Sequence, residues 1–141
     1  MAEEKNKFKE PLDVGTKLLG ITDTMEHVSN PLRKLDRLLE KGIESITQGR
    51  ILSALYCFKN ALNLEDSPII SSYFAFCIAK GRREVNKGIS LCMEAIRKEP
   101  QNPIHYLNLG RIYLLSNKRA DALNIFRKGL SYKENQRSCM N

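Results

Sequence analysis

The chain reads as an all-α protein built of tandem helical hairpins, and two observations carry that reading. Gly42, Phe76 and Gly110 stand 34 residues apart, and the small-residue columns Ala54/Gly88/Ala122 and Ala61/Ala95/Gly129 recur at the same interval. Each interval also holds two stretches with apolar residues at helical spacing. A fixed period of this size marks a supersecondary unit that cannot bury its apolar face alone and so stacks on copies of itself.

Residues 1–12, charged and poor in apolar groups, are expected to form a disordered tail. Residues 13–30 follow as an amphipathic helix, because Val14, Leu18, Ile21, Met25 and Val28 alternate at intervals of four and three. The same spacing runs on through Leu32, Leu35 and Leu39, but Ser29-Asn30-Pro31 interrupts it, with Asn30 as cap and Pro31 opening the next helix. This first helix caps the stack by default, since a terminal repeat exposes a core face; folding into the groove and pairing with its copy in a dimer are the alternatives.

Residues 31–136 hold three repeats, 35–68, 69–102 and 103–136. The first carries Leu35, Leu38, Leu39, Ile43 and Ile46, then Leu52, Leu55, Phe58 and Leu62; the third carries Leu107, Leu109, Ile112 and Tyr113, then Ala122, Leu123, Phe126 and Leu130. Turns within the hairpins are marked by Gly49-Arg50, Gly81-Arg82 and Ser116-Asn117-Lys118. Joints between repeats fall at Glu65-Asp66-Ser67-Pro68 and Pro100-Gln101-Asn102-Pro103, the latter reading as an N-cap followed by Pro at the first helical position. Residues 137–141 are expected to be a truncated or frayed tail, leaving the second helix of the third repeat without an outer neighbour. That end is then either a dimer surface or the edge of a longer array.

The small column Ala54/Gly88/Ala122 lets the second helix of each hairpin approach the first closely, and the large column Phe58/Cys92/Phe126, one turn on, fills the space left. In these columns the chain resembles the tetratricopeptide repeat (TPR) family. Tyr106, Leu109, Gly110, Tyr113, Ala122 and Phe126 match in the third repeat, with Gly129 and Glu134 departing from it. Leu38, Gly42, Ala54, Phe58 and Ala61 match in the first, where Lys41, Ser45 and Asp66 are off pattern. In the second, Ala75, Ala79, Gly88, Ala95 and Pro100 match, while Ser72, Phe76 and Cys92 do not. The resemblance covers residues 35–136 and implies a right-handed superhelical stack of three hairpins, with a concave groove lined by the first helix of each.

Composition fits a soluble domain: 28% charged and 42% hydrophobic residues. No run of 18 apolar residues occurs and no apolar segment follows the charged N-terminus, so neither a transmembrane helix nor a signal peptide is read and a cytoplasmic location is expected. Cys57, Cys77, Cys92 and Cys139 share no Cys-x-x-Cys spacing, and Cys57 and Cys92 fall on apolar faces, so they read as reduced packing residues without metal. His27 has no acidic or thiol neighbour at a ligand spacing, and His105 reads the same way, as an exposed early helical position. Neither a phosphate loop nor a nucleophile elbow is present. No catalytic residue, cofactor or metal is expected, and the chain reads as a non-enzyme.

Family geometry implied by the resemblance assigns to the groove Asp36, Leu39, Ile43, Ile46 and Thr47, then Ile70, Tyr73, Cys77 and Lys80, then Ile104, Leu107, Arg111, Leu114 and Leu115. The positions matching the carboxylate clamp of chaperone-binding members are Leu39, Ile43, Phe74, Ile104 and Asn108, so capture of a terminal carboxylate is disfavoured. An apolar groove suits a peptide or amphipathic helix of a protein partner. The turns would align along one edge as a basic ridge of Arg50, Lys80, Arg82, Arg83, Lys87, Lys118 and Arg119, against Glu84, in a chain of net charge +7. No aromatic residue is interleaved there for base stacking, which disfavours nucleic acid. The function expected is a protein-interaction adaptor. The alternatives are a self-associating subunit, homodimeric through its N-terminal helix or its open C-terminal end, and a cytosolic chaperone for an apolar secreted substrate, similar in plan to the three-repeat secretion chaperones.

Overall fold

The structure, a computed structural model, describes residues 31–140 and the side-chain surroundings of 33–135. The tail expected over 1–12 and the amphipathic helix expected over 13–30 lie outside the described residues. By internal contact the chain divides into two compact units, residues 1–37 and 38–141. Of the first, only the opening turns of helix α1 are described.

The described residues form six α-helices and no strand: α1 (Pro31–Thr47), α2 (Ile51–Leu64), α3 (Pro68–Arg82), α4 (Val85–Lys98), α5 (Pro103–Leu115) and α6 (Arg119–Met140). The protein is all-α. The last helix runs on to Met140, so the frayed tail expected from residue 137 is instead helical backbone.

Helix starts follow the sequence signals. Pro68 and Pro103 open α3 and α5, where a missing N–H is no loss, and the Asn102 side chain accepts a hydrogen bond from the Ile104 amide at 3.0 Å. Each hairpin turn contains one residue with left-handed backbone: Gly49 (φ 78°), Arg83 (φ 61°) and Asn117 (φ 60°). These three positions keep the 34-residue period. The second turn therefore sits at Arg83, not at Gly81-Arg82. Gly81 lies inside α3, where a Cβ would stand 3.0 Å from Ile51 Cγ2, so that glycine serves packing against the start of α2.

Within the second unit α2 packs on α3, α3 on α4 and α5, α4 on α5, and α5 on α6. The contacts explain the composition of α3. A helix covered on three sides has to be apolar nearly all round, and Ile70, Tyr73, Ala75, Phe76, Cys77, Ile78 and Ala79 are all buried. The columns behave as complementary volumes. A Cβ on Gly42 would meet the Phe58 ring at 2.7 Å, and one on Gly110 would meet the Phe126 ring at 2.3 Å. The second repeat exchanges the pair, placing Phe76 in the small column and Cys92 in the large one, and both are buried. Volume is conserved while its source moves from one helix to the other. Gly88 marks another close approach, with the Ala75 carbonyl oxygen 2.8 Å from where its Cβ would be.

Candidate functional site

The residues assigned to the groove do not behave as one surface. On α1, Ile43 is 41% exposed, with Leu39 and Ile46 half-buried. On α5, Leu107, Leu114 and Leu115 are exposed, and Ile104 and Arg111 are half-buried. Lys80 is exposed at the end of α3. Ile70, Tyr73 and Cys77, expected as lining, are instead buried. Their helix is enclosed by its neighbours: the Tyr73 ring stacks on Phe58 of α2, with centroids 5.2 Å apart and planes 5° from parallel. Burial raises the Tyr73 hydroxyl pKa, partly offset by the positive charge of Arg111. Burial, with Cys57 nearby, pushes the Cys77 thiol up to about 12, and burial alone does the same for Cys92. Such thiols are protonated and inert as nucleophiles. Cys57, Cys77 and Cys92 are free and buried, and among the described residues no cluster of His, Cys, Asp or Glu is arranged to hold a metal ion.

Two cations remain over the core of α3. The Arg111 guanidinium lies 5.4 Å from the Phe76 ring centroid and the Lys80 ammonium 6.0 Å from it. Arg111 also donates to Asn108 Oδ1 at 3.3 Å. The turn cations Arg50, Arg82, Arg83, Lys87, Lys118 and Arg119 are exposed, and among the described residues none of them forms an ion pair.

A buried polar network lies between the second and third repeats. Ser72, His105 and Asn108 are fully buried. His105 Nε2 faces Glu99 Oε1 at 2.7 Å and its Nδ1 faces Ser72 Oγ at 3.0 Å. An ionised carboxylate only accepts, so Nε2 carries the hydrogen. Asn108 donates to Ser72 Oγ at 3.2 Å, and the single Ser72 hydroxyl hydrogen has two acceptors in reach, His105 Nδ1 and the Ile69 carbonyl. Asn102 donates to Glu99 Oε1 at 3.1 Å. The Glu99 carboxyl is held below its ordinary pKa, chiefly by the hydrogen bond from His105, against an opposing desolvation.

The expectation of an exposed His105 is thus corrected: packing of α5 on α3 turns it inward. One signal for it was present, since Ser72 stands in the column that holds Leu38 and Tyr106, where a small hydroxyl needs buried partners. The order carboxylate, imidazole, hydroxyl is that of a hydrolase triad, but the ring is reversed, with Nδ1 toward the serine. Ser72 Oγ is enclosed on all sides and fully bonded, so the network acts as a cross-tie.

No family model matches the chain. The chain is similar to TPR repeat-containing protein MJ0941 of Methanocaldococcus jannaschii, at 29% identity over 94 residues, which is 67% of this chain and 25% of that protein. The chain therefore spans a quarter of the length of the curated relative it matches. This distant relationship and the helical architecture are compatible with a TPR-like protein. Among the described residues no helix is long and apolar enough to cross a membrane.

Proposed function

We propose that the chain is a non-enzymatic, cytoplasmic interaction module of three TPR-like repeats that holds an apolar segment of a partner protein on its first-helix surface. The observation that carries this reading is the exposure of large aliphatic side chains on the first helices: Ile43 on α1, and Leu107, Leu114 and Leu115 on α5. Exposed aliphatics are a recognition feature, and the second helices expose Leu52, Tyr56, Leu64, Met93, Leu123 and Leu130 as well. Leu39, Ile46 and Ile104 add half-buried apolar area beside them. Ile70, Tyr73 and Cys77 contribute support from beneath, and Lys80 and Arg111 supply charge at the margin.

A Trp-labelled amphipathic peptide tests this cleanly, because the chain contains no tryptophan. Ile43→Glu and Leu115→Glu are both exposed changes and should each weaken binding about tenfold or more, a loss of roughly 1.4 kcal/mol, with unaltered helical content and weak salt dependence. A second reading, an acidic partner on the basic ridge, is favoured by one observation: Arg83 keeps a left-handed backbone that glycine would adopt more readily. Binding that survives Ile43→Glu and Leu115→Glu but disappears on Arg82→Glu with Arg83→Glu, and that weakens steeply with ionic strength, would replace the groove with the ridge.

A further inference from the structure

We propose that Lys80 and Arg111 hold a side-chain carboxylate of the bound segment, so that the partner's recognition sequence is apolar, acidic and apolar at one-turn intervals. This inference rests on the first-helix reading above and names the chemistry of its occupant.

The two cations share one ring. The Arg111 guanidinium and the Lys80 ammonium lie 5.4 Å and 6.0 Å from the centroid of Phe76, so α3 and α5 bring both charges to a single aromatic group. Neither charge is balanced locally. Helices α3 and α5 contain no Asp or Glu, and among the described residues neither Lys80 nor Arg111 forms an ion pair. Arg111 is half-buried and its charge reaches inward. Burial, joined by Cys57 at Cys77, raises the Tyr73 hydroxyl and the Cys77 thiol, and Arg111 opposes the rise at both. A partly desolvated cation without a counter-ion gains more from a carboxylate than a fully solvated one does.

Arg111 is also held in place. It donates to Asn108 Oδ1 at 3.3 Å, and the buried Asn108 amide is anchored on Ser72 Oγ at 3.2 Å. Asn108 is the one acceptor that Arg111 meets among the described residues, which leaves the rest of its planar fork for bidentate contact with a carboxylate. Lys80 is exposed and closes on the same group as a flexible point charge. Position selects the kind of carboxylate. Leu107, Arg111 and Leu115 follow one another at four-residue intervals on α5, about 6 Å apart along the helix axis, and both leucines are exposed. A segment that covers both leucines has to run past Arg111. The acid is therefore an internal Asp or Glu side chain, not a chain terminus.

The probes are Trp-labelled, C-terminally amidated helical peptides that carry Leu one turn before and one turn after a central Glu or Gln, titrated by fluorescence. The Glu peptide should bind the wild type about tenfold tighter than the Gln peptide. Lys80→Gln and Arg111→Gln should each shrink that ratio, Arg111→Gln bringing it close to one, with both peptides still bound. Lys80 is exposed and makes no hydrogen bond among the described residues, so its variant keeps the test decisive if Arg111→Gln disturbs Asn108. Leu115→Ala should weaken both peptides alike, which tests the apolar reading alone. Equal binding of the two peptides by the wild type, or a preference that either variant leaves intact, overturns the carboxylate site; the apolar reading then still stands if Leu115→Ala weakens binding. A peptide ending in a free carboxylate at the central position that binds tighter than the amidated Glu peptide overturns the internal acid. A wild type that binds neither the Glu nor the Gln peptide overturns both readings.

Discussion

The two junctions between repeats are built from different chemistry. At the first, α3 meets α2 through apolar surface, with Tyr73 lying flat on Phe58. At the second, α5 meets α3 through Ser72, His105 and Asn108, all fully buried, and the joint residue Glu99 closes the network. Apolar burial is non-directional and scales with area. A buried polar network stabilises only the one arrangement in which every donor and acceptor is matched. The first junction thus supplies adhesion, and the second fixes the register of one repeat on the next.

The largest expected effect breaks the apolar junction. Phe58→Ala removes a fully buried ring that also fills the space over Gly42, and should cost about 3–5 kcal/mol. Phe126→Ala, at the corresponding position on α6, removes a ring that is only half-buried and should cost less than half as much. Chemical denaturation of the two variants side by side measures the difference. Equal losses would mean that the Phe126 ring is as well covered in solution as Phe58.

The polar junction is broken by His105→Leu. The replacement takes the ring away from both Ser72 Oγ and Glu99 Oε1, at a cost of about 1–3 kcal/mol. A double-mutant cycle with Ser72→Ala sharpens the point, because most of that cost should vanish when both partners are apolar. Additive losses would show that the two side chains act independently.

Glu99 makes the second junction sensitive to acid and the first not. Its pKa is lowered in the folded state, mainly by the His105 hydrogen bond, from an ordinary value of 4.5. A depressed carboxylate contributes stability that is fully present above the unfolded value and is lost as pH falls through the folded one. Thermal midpoints of wild type should therefore drop below about pH 4.5, and Glu99→Gln should show a flatter acid limb. The carboxylate is 39% exposed, so solvent moderates the effect. Identical acid limbs in both proteins would assign the acid response to other carboxylates.

How much of this was legible in the sequence follows from which forces are local. The 34-residue columns mark where helices approach, and Gly42, Gly110, Phe58 and Ala122 sit as their columns require. Capping is also local, and Asn102 with Pro103 fixes the start of α5. Which face of α3 would be enclosed is a tertiary matter: Ile70, Tyr73 and Cys77, assigned to the groove, are buried on a helix that packs against α2, α4 and α5. The His105 network is likewise invisible along the chain, since its partners come from α3 and from the joint ahead of α5. An off-pattern Ser72 is its trace.

The smallest effect concerns the hairpin turns, where three different residues solve one backbone problem. Gly49, Arg83 and Asn117 all take φ near +60° to +80°. Glycine does so without steric penalty, asparagine with little, and arginine at about 1–2 kcal/mol. Arg83→Gly removes that strain but gives the unfolded chain more freedom, which returns about 0.4–1 kcal/mol. The net gain should be at most about 1 kcal/mol, a rise of a few degrees in Tm. Gly49→Arg is the reverse experiment and should lower Tm by a similar amount, because a Cβ at Gly49 meets no atom within 4 Å and the change is purely conformational. Arg83→Asn separates backbone from charge, since asparagine tolerates the left-handed region without a cation. If all three variants leave Tm unmoved, the turns are not strained. If Arg83→Gly lowers Tm, the Arg83 side chain holds the second turn together through contacts that outweigh its backbone cost.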